Sequence, residues 1–141
     1  MKKYIRYFFL IVTVSSLLVA CQPDEEDEPD ITGDVRANIS GTWRSQENSA
    51  TYGQSNYYVD ISVDSTSSNG IKIDNFFNMG QNKEMKATVS GNTITLSSAP
   101  FEGFVFSGTG NISSTYKTIT WSYTFFDGNE TEPVSGTYTK L

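Results

Sequence analysis

Residues 57–64 read Tyr-Tyr-Val-Asp-Ile-Ser-Val-Asp, so Tyr57, Val59, Ile61 and Val63 share one face against a mostly polar one. Residues 117–125 repeat the pattern, with Ile119, Trp121, Tyr123 and Phe125 in phase and polar residues between them. Weaker copies run through 39–43, 71–73, 85–89, 93–96, 104–106 and 134–138. A period of two marks strands with one face on a core and one in water, as antiparallel sheets have. No window carries a convincing helical repeat. Asn69-Gly70 and Asp127-Gly128 supply positive φ cheaply and suit hairpin turns, while Ser90-Gly91-Asn92 separates two runs closely enough for another. The runs predict eight strands, near 38–46, 56–65, 70–77, 83–90, 92–98, 101–113, 116–126 and 134–141. Short sequential connections suit an all-β, eight-stranded antiparallel up-and-down barrel, whose closure removes exposed edges; a β-sandwich satisfies the same alternation. Gly41, Gly108, Gly110 and Gly136 fall inside strand patterns, where glycine often marks a bend or barrel corner.

Composition narrows the chemistry. The 141 residues hold no His and one Cys. That removes Ser-His and Cys-His arrangements, an intramolecular disulfide framework and any multi-Cys zinc site. The net charge of −6 argues against nucleic-acid binding, and its distribution says more than its sum. Residues 1–20 carry +3, residues 21–37 carry −6 and residues 38–141 carry −3. The basic start at Lys2, Lys3 and Arg6, followed by an apolar run too short to span a membrane comfortably, reads as a secretory signal. The acidic block Asp24-Glu25-Glu26-Asp27-Glu28 and its neighbours cannot bury enough apolar surface to order, so 21–37 reads as a disordered tether. Extended, it reaches about 50 Å at about 3.3 Å per residue.

Several resemblances refine this picture. Leu18-Val19-Ala20-Cys21 resembles the lipobox of bacterial lipoproteins, which implies cleavage before Cys21 and lipid on its sulfur. The acidic run that follows resembles the export signal of Bacteroidota-type surface lipoproteins, which implies an outer-membrane, surface-exposed location. Ile39-Ser40-Gly41-Thr42-Trp43 resembles the Gly-x-Trp first strand of the calycin group, in which that Trp plugs one end of the barrel. Gly136-Thr137-Tyr138 suits a closing strand that pairs back to it. Residues 73–80 and 119–123, with Asp127-Gly128, look like small Bacteroidota-type lipoproteins with lipocalin-like barrels over 38–141. The neighbourhood of Trp43 is similar to streptavidin's first strand, but the later Trp-bearing segments of that family have no counterpart, so biotin binding is not implied.

Enzyme motifs fail one by one. Ser114-Thr115-Tyr116-Lys117 satisfies Ser-x-x-Lys but enters a strand rather than a helix, and its companion motifs are missing. Gly108-Thr109-Gly110 lacks the third Gly and the helix of a phosphate-cradling loop. In Asp127-Gly128-Asn129-Glu130 the Gly of a calcium loop is replaced by Glu132. Glu47, Glu84 and Glu102 sit in different segments, with nothing to pair them for acid–base work. The expectation is a non-enzyme with no cofactor and no metal. Asp64-Ser65-Thr66 resembles the O-glycosylation acceptor of exported proteins in the same bacterial group, which implies Ser65 as the modified residue.

The inward phase contains Trp43, Tyr57, Ile61, Ile73, Phe77, Trp121, Tyr123, Phe125 and Tyr138. These residues either fill the barrel or line an apolar pocket rimmed by tyrosine hydroxyls. Phe76 and Phe126 lie on the opposite phase and, with Tyr58, suggest an outward contact patch. Two functions remain: a surface accessory or interaction module presenting its outer face to a protein or glycan, and a lipocalin-like carrier of a small hydrophobic ligand. Contact with the membrane through the lipid anchor, a monomeric state and no nucleic-acid partner are expected in both.

Overall fold

The computed structural model describes residues 33–141. The predicted signal segment, Cys21 and the acidic stretch up to residue 32 lie outside the described residues. Among the described residues no helix is long and apolar enough to cross a membrane.

A short helix, α1 (Val35–Ile39), opens the described chain. Asp34 caps it by accepting from the backbone N–H of Arg36. Strands follow as β1 (Gly41–Ser49), β2 (Gly53–Val63), β3 (Gly70–Asp74), β4 (Glu84–Ser90) and β5 (Thr93–Leu96). The chain continues through β6 (Pro100–Phe101), β7 (Phe104–Ile112), β8 (Thr118–Phe126) and β9 (Thr131–Lys140). Every pairing is antiparallel, neighbour to neighbour, with β9 returning to β1 at Ser45↔Tyr138. The ring closes where Thr93–Thr95 of β5 pair with Thr109–Asn111 of β7. The result is a closed eight-stranded barrel, with β6 as a two-residue flap on β7, and the sandwich alternative is set aside.

The eight expected strands are present, with shifted ends that have local causes. The first begins at Gly41 rather than residue 38, because α1 takes up the preceding residues, including the last of the segment read as a tether. The expected strand at 101–113 splits at Glu102-Gly103, both at positive φ, which turns Pro100–Phe101 back onto Phe104–Val105. The expected strand at 70–77 stops at Asp74, because Asn75, Phe77 and Asn78 all adopt positive φ in a 3-10 turn, Phe76–Asn78. That turn overturns the expectation for Phe76. It breaks the period of two, resets the phase, and drives Phe76 fully into the core while Phe77 is only partly buried.

The two barrel ends differ. At one end α1 lies across the opening, with Ile39 buried and the Trp43 indole N–H donating to the Ile39 carbonyl at 2.9 Å. Arg36 ties the helix to the β2–β3 loop through the Ser67 carbonyl, and Lys140 donates to the Asn38 carbonyl. The opposite end carries the β1–β2, β3–β4 and β8–β9 turns and the β6 flap. Phe76 and Phe77 descend there and meet Phe106, Phe125, Tyr123 and Trp121 with ring centroids 5.0–6.3 Å apart.

An eight-stranded interior is just wide enough for side chains to fill. Two of the large rings on β8, Trp121 and Tyr123, lie opposite glycines of β7. Gly108 lies opposite Tyr123 with φ +151, and a Cβ there would sit 2.4 Å from the Tyr123 Cα. Gly108→Ala forces the β7–β8 pair apart and is expected to lower stability by about 1–3 kcal/mol, the usual range for overpacking. Urea unfolding of the purified variant measures this, and an unchanged midpoint contradicts the close approach.

Candidate functional site

The inward row of β1 runs Trp43, Ser45, Glu47, Ser49, all buried. Alternation alone thus places a carboxylic acid inside the barrel, and Glu47 is 3% exposed. Its room comes from Gly136, its partner across β1 and β9, where a Cβ would meet Glu47 Cγ at 2.6 Å. Tyr57 on β2 donates its hydroxyl to Glu47 Oε2 at 2.5 Å, and Tyr138 on β9 donates to Oε1 over a long 3.4 Å. Tyr123 on β8 also lies in the field of this carboxyl. Trp121 Nε1 is buried as well and has no hydrogen-bond partner among the described residues.

Burial lifts the Glu47 carboxyl above the usual glutamate range, against the tyrosine hydroxyls, which pull it down. The same burial, together with the Glu47 charge, pushes the Tyr57, Tyr123 and Tyr138 hydroxyls up, so all three stay protonated donors. The site is a buried acid surrounded by hydroxyl donors from three strands. Among the described residues no three of His, Cys, Asp or Glu converge as a metal-binding group.

Glu47 and Ser49 also reach a cleft of about 270 Å³ at the open end of the barrel. Its walls include Tyr52, Phe77, Met79, Phe104 and Val134. Tyr52 meets Phe77 edge-on at 5.8 Å and Phe125 at 5.8 Å, forming an aromatic rim. Glu132, at the start of β9, holds the neighbouring β1–β2 turn by accepting from the backbone N–H of Thr51 at 2.6 Å and from its hydroxyl.

Of the residues singled out in the sequence, Trp43, Tyr57, Ile61, Ile73, Trp121, Tyr123, Phe125 and Tyr138 are all buried in the packed interior. Phe77 alone of that set lines the cleft. The barrel is thus filled over most of its length and hollow at its mouth. Phe126 and Tyr58 are exposed, at 40% and 58%, but β1 and β9 separate their strands and Phe76 is internal, so the three form no common patch. Ser65 is exposed in the β2–β3 loop, where Asp64 accepts from both the N–H and the hydroxyl of Thr66. Cys21 lies outside the described residues. Glu47 was missed because the first strand was expected to end at residue 46, whereas β1 continues to Ser49; its even spacing from Trp43 was the available signal.

The acid leaves a signature in stability. The folded state keeps the Glu47 proton at pH values where the unfolded chain has released it. Stability therefore falls as pH rises from the ordinary glutamate value through the raised one, and is unaffected by this group below that window. Glu47→Gln removes this decline, so its melting temperature gains on the parent's as pH rises above the ordinary glutamate range. Parallel thermal melts check this, and an offset that stays constant as pH rises contradicts a raised Glu47.

No protein-family model matches the sequence, and no curated protein matches it. Solved structures share the fold. EF1p2_mFAP2b bound to DFHBI superposes with a TM-score of 0.55 at 16% identity, over 77% of this chain and 98% of that one. A redesigned β-barrel, mFAP1, bound to DFHBI, gives 0.51 at 17% identity, over 76% of this chain and 99% of that one. At such identities the likeness is one of fold: a closed β-barrel.

Proposed function

We propose that this barrel is a non-catalytic binding module that takes a small, largely apolar molecule into its mouth. The observation that carries this reading is the 270 Å³ cleft with aromatic walls and the buried Glu47 beneath it. Binding sites of this kind combine an apolar lining with a few fixed polar groups, and sites for drug-sized ligands start near 300 Å³. The ligand is therefore compact, on the scale of one ring. Two barrels of the same fold hold a small ligand, DFHBI, which agrees with a ligand-binding role at that general level.

The reading extends to location. A lipid on Cys21 and a tether through the acidic segment make this an exported lipoprotein of the outer membrane, displayed at the cell surface. The described chain enters the barrel at the α1 end, opposite the cleft.

Two measurements test the two halves. A panel of single-ring aromatic compounds, screened by isothermal titration, is expected to include binders at millimolar or better affinity. Ser55→Trp, which fills the cleft from the β2 wall, is expected to weaken them at least tenfold; absence of any binder contradicts the function. For the anchor, Cys21→Ser is expected to move the protein from the membrane to the soluble fraction and to abolish fatty-acid labelling. Persistent labelling contradicts lipidation at Cys21.

A further inference from the structure

We infer that the cleft selects a compact organic cation, an amine on an apolar or single-ring body whose ammonium group sits on Glu47. This rests on the binding function proposed above and specifies the ligand class.

Three observations lead there. First, Glu47 is the only ionisable acid or base besides the phenol of Tyr52 among the residues lining the cleft, so a carboxylate ligand meets a like group and no counter-charge. Second, the two oxygens of Glu47 are unequally engaged. Oε2 is tightly held by Tyr57 at 2.5 Å, whereas the Tyr138 contact to Oε1 is a long 3.4 Å and leaves that oxygen capacity for a stronger donor. An ammonium N–H supplies such a donor in its charge-assisted form. Third, the turns around the mouth are acidic. They carry Glu102, Asp127 and Glu130, and Glu132 begins the adjoining β9; Glu84, at the start of β4, is paired to Lys72 at 3.0 Å. Lys83 is the only base in those turns, and it is paired to Glu102 at 2.6 Å. Their own turn hydrogen bonds hold Asp127 and Glu132 below the usual carboxylate range, so both keep their negative charge near neutrality. A cleft ringed by one sign of charge concentrates the opposite sign.

The walls suit the rest of such a ligand. Tyr52, Phe77 and Phe104 offer ring faces and edges to an apolar body, and aromatic faces attract an ammonium directly. When the cation enters, Glu47 releases its proton to solvent and remains ionised opposite the ammonium. Tyr57, Tyr123 and Tyr138, the groups facing it from β2, β8 and β9, are hydroxyl donors that favour the ionised form.

The full-length protein, titrated in parallel with benzylamine, benzyl alcohol and benzoate, tests this. Benzylamine is expected to bind about tenfold or more tighter than benzyl alcohol near neutral pH, as a hydrogen bond to a charged group exceeds a neutral one. Benzoate is expected to bind weakest. The amine's affinity should rise with pH through the Glu47 titration while the alcohol's stays level, a readout that needs no variant. In Glu47→Gln the amine and the alcohol should bind alike. Alcohol or benzoate binding as tightly as the amine overturns the cation class and leaves the binding function standing. An amine preference that survives Glu47→Gln overturns the role of Glu47. Failure of all three to bind overturns the binding function itself.

Discussion

The interior width of an eight-stranded barrel governs the rest of this molecule. Eight strands enclose a space just wide enough for side chains to fill, so several large inward side chains lie opposite glycine. Gly108 faces Tyr123, Gly110 faces Trp121 and Gly136 faces Glu47. Trp43 and α1 lie at one end, and the mouth at the other is under-filled where β1 contributes Ser49 and Glu47 and β9 contributes Val134. The cleft is thus a consequence of which residues point inward on two neighbouring strands, with Phe77, Asn78 and Met79 of the β3–β4 connection as part of its wall.

A buried carboxyl is costly unless it is neutral or well partnered. Glu47 meets that condition in part. Tyr57 holds one oxygen closely and Tyr138 holds the other loosely, with Tyr123 adding a further hydroxyl in the field of the carboxyl. An apolar residue at position 47 would pack more cheaply. The acidic turns around the mouth then bear on which molecules arrive, and the unequal engagement of the two carboxyl oxygens on how they are held.

The barrel was legible because alternation is a robust signal: the inward phase of β2 and β8 places Tyr57, Val59, Ile61, Ile119, Trp121, Tyr123 and Phe125 correctly, as burial shows. Three features were not legible. A five-residue helix has too few turns for a periodic pattern, and its signal was only the capping Asp34. Phe76 and Phe77 exchanged roles because positive φ at Asn75 and Phe77 resets the side-chain phase, which hydropathy does not reveal. Glu47 was in phase with Trp43, but only the neighbours folded around it show that a charged side chain at that position is internal.

The most direct test of the account is a crystal structure of the protein grown with benzylamine. The account predicts density for one ring among Tyr52, Phe77 and Phe104, with the nitrogen within hydrogen-bonding distance of the Glu47 carboxyl. Density elsewhere on the surface, or an empty cleft at saturating amine, would contradict it.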